Sequence, residues 1–250
     1  MALDEEKFKK CRSQDDSFIG KYLFAGLGNV FSRILIRTPV TPNQLTIFWG
    51  GLMVLCSIAF VLHDYYISIL AGIGWIIAYA LDDADGTIAR YKGIYSQRGK
   101  YYDLINHRVT YPLLMFCIGF GIYRSGPVTI FDFTITQGWF LILGFLAGLS
   151  MVIIMDLGDC YNKAYPQGDL KADNGSRAVE GRNVDPKKYI LFMSLNPLTF
   201  LNMLFLLPIF AVLDMMYLFI IFYGCMYPLG AFARYVILAR EIPPRFEKEE

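Results

Sequence analysis

The stretch YISILAGIGWIIAYALDDADGTIAR, residues Tyr66 to Arg90, passes without a break from an uncharged apolar run into a cluster of acids and an arginine. The run alone, 66–81, is a little shorter than the roughly 20 residues that cross a hydrocarbon core. A helix continuing through Ala89 reaches that length and carries Asp82, Asp83, Asp85 and Arg90 to the edge of a bilayer or into a cavity. Charges there are costly unless partnered, so the cluster marks a cation site and the place to seek function. Eight residues after Arg90, Gly99-Lys100-Tyr101-Tyr102-Asp103-Leu104-Ile105-Asn106-His107 opens the next apolar run. The full spacing is D-x-x-D-G-x-x-A-R, eight residues, then G-x-x-x-D-x-x-x-H.

Composition points the same way. Of 250 residues, 55% are hydrophobic, 16% aromatic and only 18% charged, and the mean hydropathy is +0.41, values that fit a soluble domain poorly. A net charge of +1 leaves no basic stripe for nucleic acid. The five cysteines are scattered without CxxC spacing, so neither a disulfide framework nor a zinc site is indicated. The charged start of the chain has no apolar core before residue 18, and no cleaved signal peptide is expected. Apolar runs at 46–63, 66–81, 104–123, 139–157, 189–212 and 216–238 predict an all-α integral membrane bundle of six transmembrane helices. Asn196-Pro197 and Pro208 predict kinks or a broken helix in the fifth.

Lys and Arg gather before the first run (Lys7, Lys9, Lys10, Arg12, Lys21, Arg33, Arg37) and after the second (Arg90, Lys92, Arg98, Lys100). A third group follows the fourth run (Lys163, Lys171, Arg177, Arg182, Lys187, Lys188), while the opposite side offers Arg124 alone. By the positive-inside rule both termini and the acidic motif face the cytoplasm, and the plasma (inner) membrane is the expected location. Residues 18–36 place apolar side chains at helical spacing against Lys21, Asn29, Ser32 and Arg33, the pattern of an amphipathic interfacial helix. Pro39 and Pro42 end it. Thr41 suits an N-cap and Pro42 a first helical turn, which leaves Asn43 open between helix punctuation and a ligand role. The organisation expected is a cytoplasmic N-terminal segment with its juxtamembrane helix (1–44), a six-helix membrane catalytic domain (45–240) and a cytoplasmic tail (241–250). The connection 158–188, rich in Asp, Asn, Gly, Lys and Arg, reads as a lid, an acceptor-binding loop or a linker.

On helices turning about 100° per residue, Asp82 and Asp85 lie about 60° apart and Asp103 and His107 about 40° apart, so each pair shares a face. Two such pairs at the cytoplasmic ends of neighbouring helices can point into one cavity. Converging carboxylates repel unless a divalent cation or a basic partner neutralises them, and hard oxygen ligands favour Mg²⁺, Mn²⁺ or Ca²⁺. Gly86 and Ala89 let a flat or bulky ligand approach the backbone, and Arg90 suits a phosphate. Together these residues form a diphosphate site in which metal bridges acid and phosphate oxygens. The plainer alternatives are that Gly86 and Ala89 ease helix packing, that Arg90 is an orientation anchor and that Asp83 is solvated. Arg234, inside the sixth run, is a costly buried cation that either grips an acceptor phosphate or snorkels to the cytoplasmic edge.

The string resembles the signature of the CDP-alcohol phosphotransferase family, D-x-x-D-G-x-x-A-R followed by G-x-x-x-D-x-x-x-D. Asp82, Asp85, Gly86, Ala89, Arg90, Gly99 and Asp103 match it position by position, whereas His107 stands where the family has its last Asp. The Pro42-Asn43 entry to the first crossing, the six-crossing layout and the amphipathic helix are also similar. The resemblance implies a membrane enzyme that moves a substituted phosphate from a CDP-alcohol to a second alcohol and releases CMP, one of the two substrates being a lipid. It implies that Asp82, Asp85 and Asp103 are ligands to one or two Mg²⁺ or Mn²⁺ ions. Gly86, Ala89 and Arg90 would contact the nucleotide, with Asn43 a weaker candidate. His107 would inherit the place of a metal ligand and general base, and a homodimer is expected.

Imidazole titrates near pH 6.5 and suits a base, yet it is a poorer Mg²⁺ ligand than a carboxylate. Catalysis with His107 as base, catalysis with another base, nucleotide binding without turnover, and a mere hydrogen bond from His107 to Asp103 all stay open. The favoured donor is CDP-diacylglycerol with a soluble acceptor, and the alternative is a soluble CDP-headgroup with a lipid acceptor. A cation transporter is a rival from another class, disfavoured because the acids gather at one membrane face rather than at mid-span.

Overall fold

The computed structural model describes residues 4–13, 17–164 and 194–241. Four of its helices begin where a side chain serves their free N–H groups. Asp4 caps α1 (Glu5–Cys11), accepting from the Glu6 and Lys7 amides. A π-helical turn at Gly20–Phe24 leads into α2 (Ala25–Leu35). Thr41 starts α3 (Pro42–Ala59) with a full capping box, its hydroxyl accepting from Gln44 N at 3.3 Å while Gln44 Oε1 accepts from Thr41 N at 3.0 Å. Asp64 caps α4 (Tyr65–Lys92), which ends at Gly93 in the left-handed conformation, φ 67°. Ser96 caps α5 (Gln97–Ser125). A two-stranded antiparallel hairpin, β1 (Val128–Ile130) and β2 (Phe133–Ile135), joins α5 to α6 (Gln137–Ala164). α7 (Phe200–Val212) and α8 (Met216–Glu241) complete the bundle.

The all-α membrane class is therefore right, with a short hairpin that the apolar runs did not signal. Four helical segments are long and apolar enough to cross a membrane: Pro42–Leu62, Tyr65–Lys92, Gln137–Ala164 and Met216–Arg240. α5 spans 29 residues but opens on a polar stretch, and α7 has only 13, so the remaining two of the six expected crossings do not meet that standard. The fifth run is broken as its Asn-Pro pair required: residues 196–199 form a turn and the helix starts at Phe200, while 189–193 fall outside the described residues. Most of the connection 158–188 and of the tail falls outside them too. α4 does run on through Ala89.

In lipid, helices associate by close packing rather than by a hydrophobic force between them. A Cβ on Gly144 would lie 2.7 Å from the Met115 carbonyl oxygen, and one on Gly148 2.8 Å from that of Pro112, so α5 and α6 meet backbone to backbone. Trp49, Trp75, Leu114, Met115 and Phe219 fill the centre, whereas Ile47, Phe48, Leu55, Leu70, Phe145 and Leu229 face outward, as a lipid environment favours. α2 lies against α4 with small residues inward, Ala25, Gly28 and Ser32. Val30 and Ile34 of α2, with Phe18 and Tyr22 ahead of it, form an exposed apolar row suited to a membrane interface.

Candidate active site

α3 packs against both α4 and α5, and on this platform the two halves of the acidic motif meet. His107 Nε2 lies 3.1 Å from Asp103 Oδ1 and 3.4 Å from Asp82 Oδ2. The ligand atoms of Asp82, Asp103 and His107 all fall within 4.8 Å of one another, close enough to share an ion. Two carboxylates at such a distance repel by on the order of 3 kcal/mol at an effective dielectric constant of about 20, so the cluster calls for a cation or a proton. The Asp82 and His107 side chains are 17% and 18% exposed and Asp103 is 42% exposed, making Asp103 the open member of the group.

Asp85 is fixed from the platform. Thr46 Oγ1 donates to its Oδ2 at 2.6 Å and Trp49 Nε1 donates to the same oxygen at 2.7 Å. Bonds of this type to a charged group contribute about 1.5–3 kcal/mol each, which holds the carboxylate in one orientation. Oδ1 of Asp85 carries no hydrogen bond among the described residues and stays available to a ligand. Asn106 Nδ2 in turn donates to the Thr46 carbonyl at 2.8 Å, entering space that a side chain at Gly50 would fill.

His107 sits between two aromatic rings, with centroids 5.2 Å from Trp49 and 5.0 Å from Tyr111. Its Nδ1 is buried and has no partner among the described residues. A proton on Nδ1 would be a stranded donor, and it would leave the Nε2 lone pair facing carboxylate oxygens. Nε2 instead faces both carboxylates, so a proton there is the one that the charges of the site favour, in electrostatic contact with Asp103 and Asp82.

The other expected residues are arranged around this core. Gly86 and Ala89 share the α4 face with Asp82 and are part-exposed, and a Cβ on Gly86 would come within 3.3 Å of Arg90 Nη1. Arg90 donates through Nε to the Cys11 carbonyl at 2.8 Å and through Nη2 to Thr87 Oγ1 at 3.3 Å. Asn43 Oδ1 accepts from Ser96 Oγ at 2.9 Å, tying the start of α3 to the N-cap of α5, and a side chain at Gly99 would collide with it. Arg234 is exposed rather than buried and approaches Gly158 near the end of α6. Asp83 corrects the expectation of a solvated carboxylate, since it lies under Gly28 of α2 and accepts from Ser13 Oγ at 3.0 Å.

Thr46, Trp49, Asn106 and Tyr111 belong to the site and were not anticipated. The signal for Trp49 was its indole N–H in an apolar run, which needs a partner once buried. Arg108, beside His107, is a second omission: it donates to Asp156 Oδ1 at 2.8 Å and Asp159 Oδ2 at 2.7 Å, clamping α5 to α6.

Comparison with known families sets this geometry in context. The CDP-alcohol phosphatidyltransferase family matches residues 39–216, most of the chain, and the chain belongs to that family. It is a membrane transferase of substituted phosphate groups with a CDP-alcohol donor, in a family that uses divalent cations. No match is found among curated proteins.

Proposed function

We propose that this transferase moves a phosphatidyl group from CDP-diacylglycerol to a soluble alcohol and releases CMP, at the cytoplasmic face of the plasma (inner) membrane. The observation that carries the reading is the meeting of Asp82, Asp103 and His107 beside an oriented Asp85. A lipid donor is supported by the apolar side chains that the bundle exposes, Ile47, Phe48, Leu55, Leu70 and Phe145 among them, which suit a bilayer around the site.

Asp82, Asp103 and the free oxygen of Asp85 would hold a divalent cation, and this all-oxygen set suits Mg²⁺ or Mn²⁺. When bound, such an ion would supply positive charge to offset the charge that builds on the departing CMP phosphate. Thr46 and Trp49 keep Asp85 aimed, Gly86 and Ala89 leave room for the nucleotide, and Arg90 offers Nη1 to a phosphate oxygen. The acceptor hydroxyl attacks the phosphorus bearing the lipid in line, the bond to the CMP oxygen breaks, and the hydroxyl proton passes to Asp103, the open carboxylate. His107, with its proton on Nε2, would lie between the carboxylates of Asp103 and Asp82 and temper their repulsion. It thus acts as a donor at the place where the resemblance implied a base.

The test is CMP release by the protein in lipid nanodiscs with Mg²⁺, comparing CDP-diacylglycerol plus a panel of soluble alcohols with soluble CDP-headgroups plus diacylglycerol. CMP from the first mixture alone is the expected result. Release from the second alone reverses the assignment of donor and acceptor.

A further inference from the structure

α1 precedes the region that the family matches, yet it is docked on the signature helix. A seven-residue helix does not hold itself together in water, so its contacts must keep it in place. Phe8 is 1% exposed, buried beneath α1. Asp4 N donates to Tyr91 Oη at 2.9 Å, and the Lys7 ammonium lies 4.9 Å over the Tyr91 ring. Glu5 accepts a two-bond fork from Arg33 of α2 at 2.7 and 2.9 Å, and the same guanidinium covers the Phe8 ring at 4.8 Å. Ser13, just beyond the helix, reaches Asp83.

One of these contacts bears on chemistry. Cys11 is the last residue of α1, and its carbonyl accepts no backbone N–H among the described residues. Arg90 Nε supplies one at 2.8 Å. An arginine side chain carries about 2 kcal/mol of rotamer entropy, which it must lose before its planar fork can bind an anion. With Nε tied to Cys11 and Nη2 to Thr87, that loss is already incurred, and Nη1 is left over Gly86, where the helix has no side chain.

We propose that α1 is a working part of the nucleotide site, its Cys11 carbonyl acting as the positioning group that aims Arg90 at the phosphate of the cytidine nucleotide. This rests on the transferase reading above. It differs from a purely structural role for α1 in a measurable way. A helix that only packs would change stability when undocked, whereas a helix that aims Arg90 changes nucleotide affinity, and only while Arg90 is present.

The experiment is CMP titration by calorimetry on the full chain in nanodiscs with Mg²⁺, for the wild type, Phe8→Ala, Glu5→Ala, Arg90→Ala and the Phe8→Ala/Arg90→Ala pair. Loss of one charge-assisted phosphate contact predicts binding weakened about tenfold in Arg90→Ala. Phe8→Ala should weaken it several-fold, and Glu5→Ala, at an exposed position that leaves the core untouched, about twofold. The double variant should bind no more weakly than Arg90→Ala alone, the non-additivity expected when one residue acts through another. Wild-type affinity in both α1 variants, or full additivity in the pair, overturns the inference while leaving the transferase reading intact. Failure of the wild-type chain to bind CMP overturns both.

Discussion

At His107 three substitutions separate a hydrogen-bond donor from a base. Glutamine can still donate to Asp103, so His107→Gln should keep turnover within about tenfold of wild type, whereas His107→Ala should lose about 10². His107→Asp supplies the fourth carboxylate that the signature resemblance implies and should retain or raise activity. CMP release under saturating substrate distinguishes these cases, and a glutamine variant as poor as alanine would show that the Nε2 lone pair itself does the chemistry. The same reasoning applies to Asp85, where Thr46→Val removes one of two donors and should lower turnover about tenfold without unfolding the bundle, as circular dichroism would report. Spacing made Asp82, Asp85, Asp103 and His107 legible in the sequence, because residues three and four apart share a helix face. Thr46 and Trp49 were hidden for the converse reason. They act on Asp85 from 39 and 36 residues away, and only the packing of α3 on α4 brings them there.

At the level of elements, local chemistry was readable and pairing was not. The N-cap at Thr41, the extension of α4 through Ala89 and the break at Asn196-Pro197 each follow from a few adjacent residues, and each is present. The hairpin between α5 and α6 escaped notice because three-residue strands carry too short a pattern to stand out. Arg108 and Asp156 were visible as charges inside apolar runs, each in need of a partner, but the sequence could not say that they partner each other. The clamp they form with Asp159 predicts that Arg108→Ala lowers Tm by several degrees, measured by thermal unfolding in detergent, since it leaves two carboxylates facing an empty place. Arg108→Lys should recover only part of that loss, because one ammonium cannot reproduce the planar fork that reaches both acids.

Across the whole molecule, one asymmetry organises the rest: the exterior of the bundle is apolar, and the ionisable cluster lies at the end where α3 begins, α4 ends and α5 begins. We propose, from the distribution of Lys and Arg, that this end faces the cytoplasm, where nucleotide-activated substrates are made. A site so placed can take a lipid from the side and a soluble partner from the open face at Asp103. We propose that these carboxylates form a cation-dependent transferase centre. Its most direct test is CMP release from CDP-diacylglycerol and an alcohol panel by wild-type protein and by Asp103→Asn, with Mg²⁺ and again after chelation by EDTA. Wild-type protein should release CMP, EDTA should abolish the release and added Mg²⁺ restore it, and Asp103→Asn should fall by about 10² or more. Equal release by wild type and Asp103→Asn, or release that survives EDTA, would contradict the account.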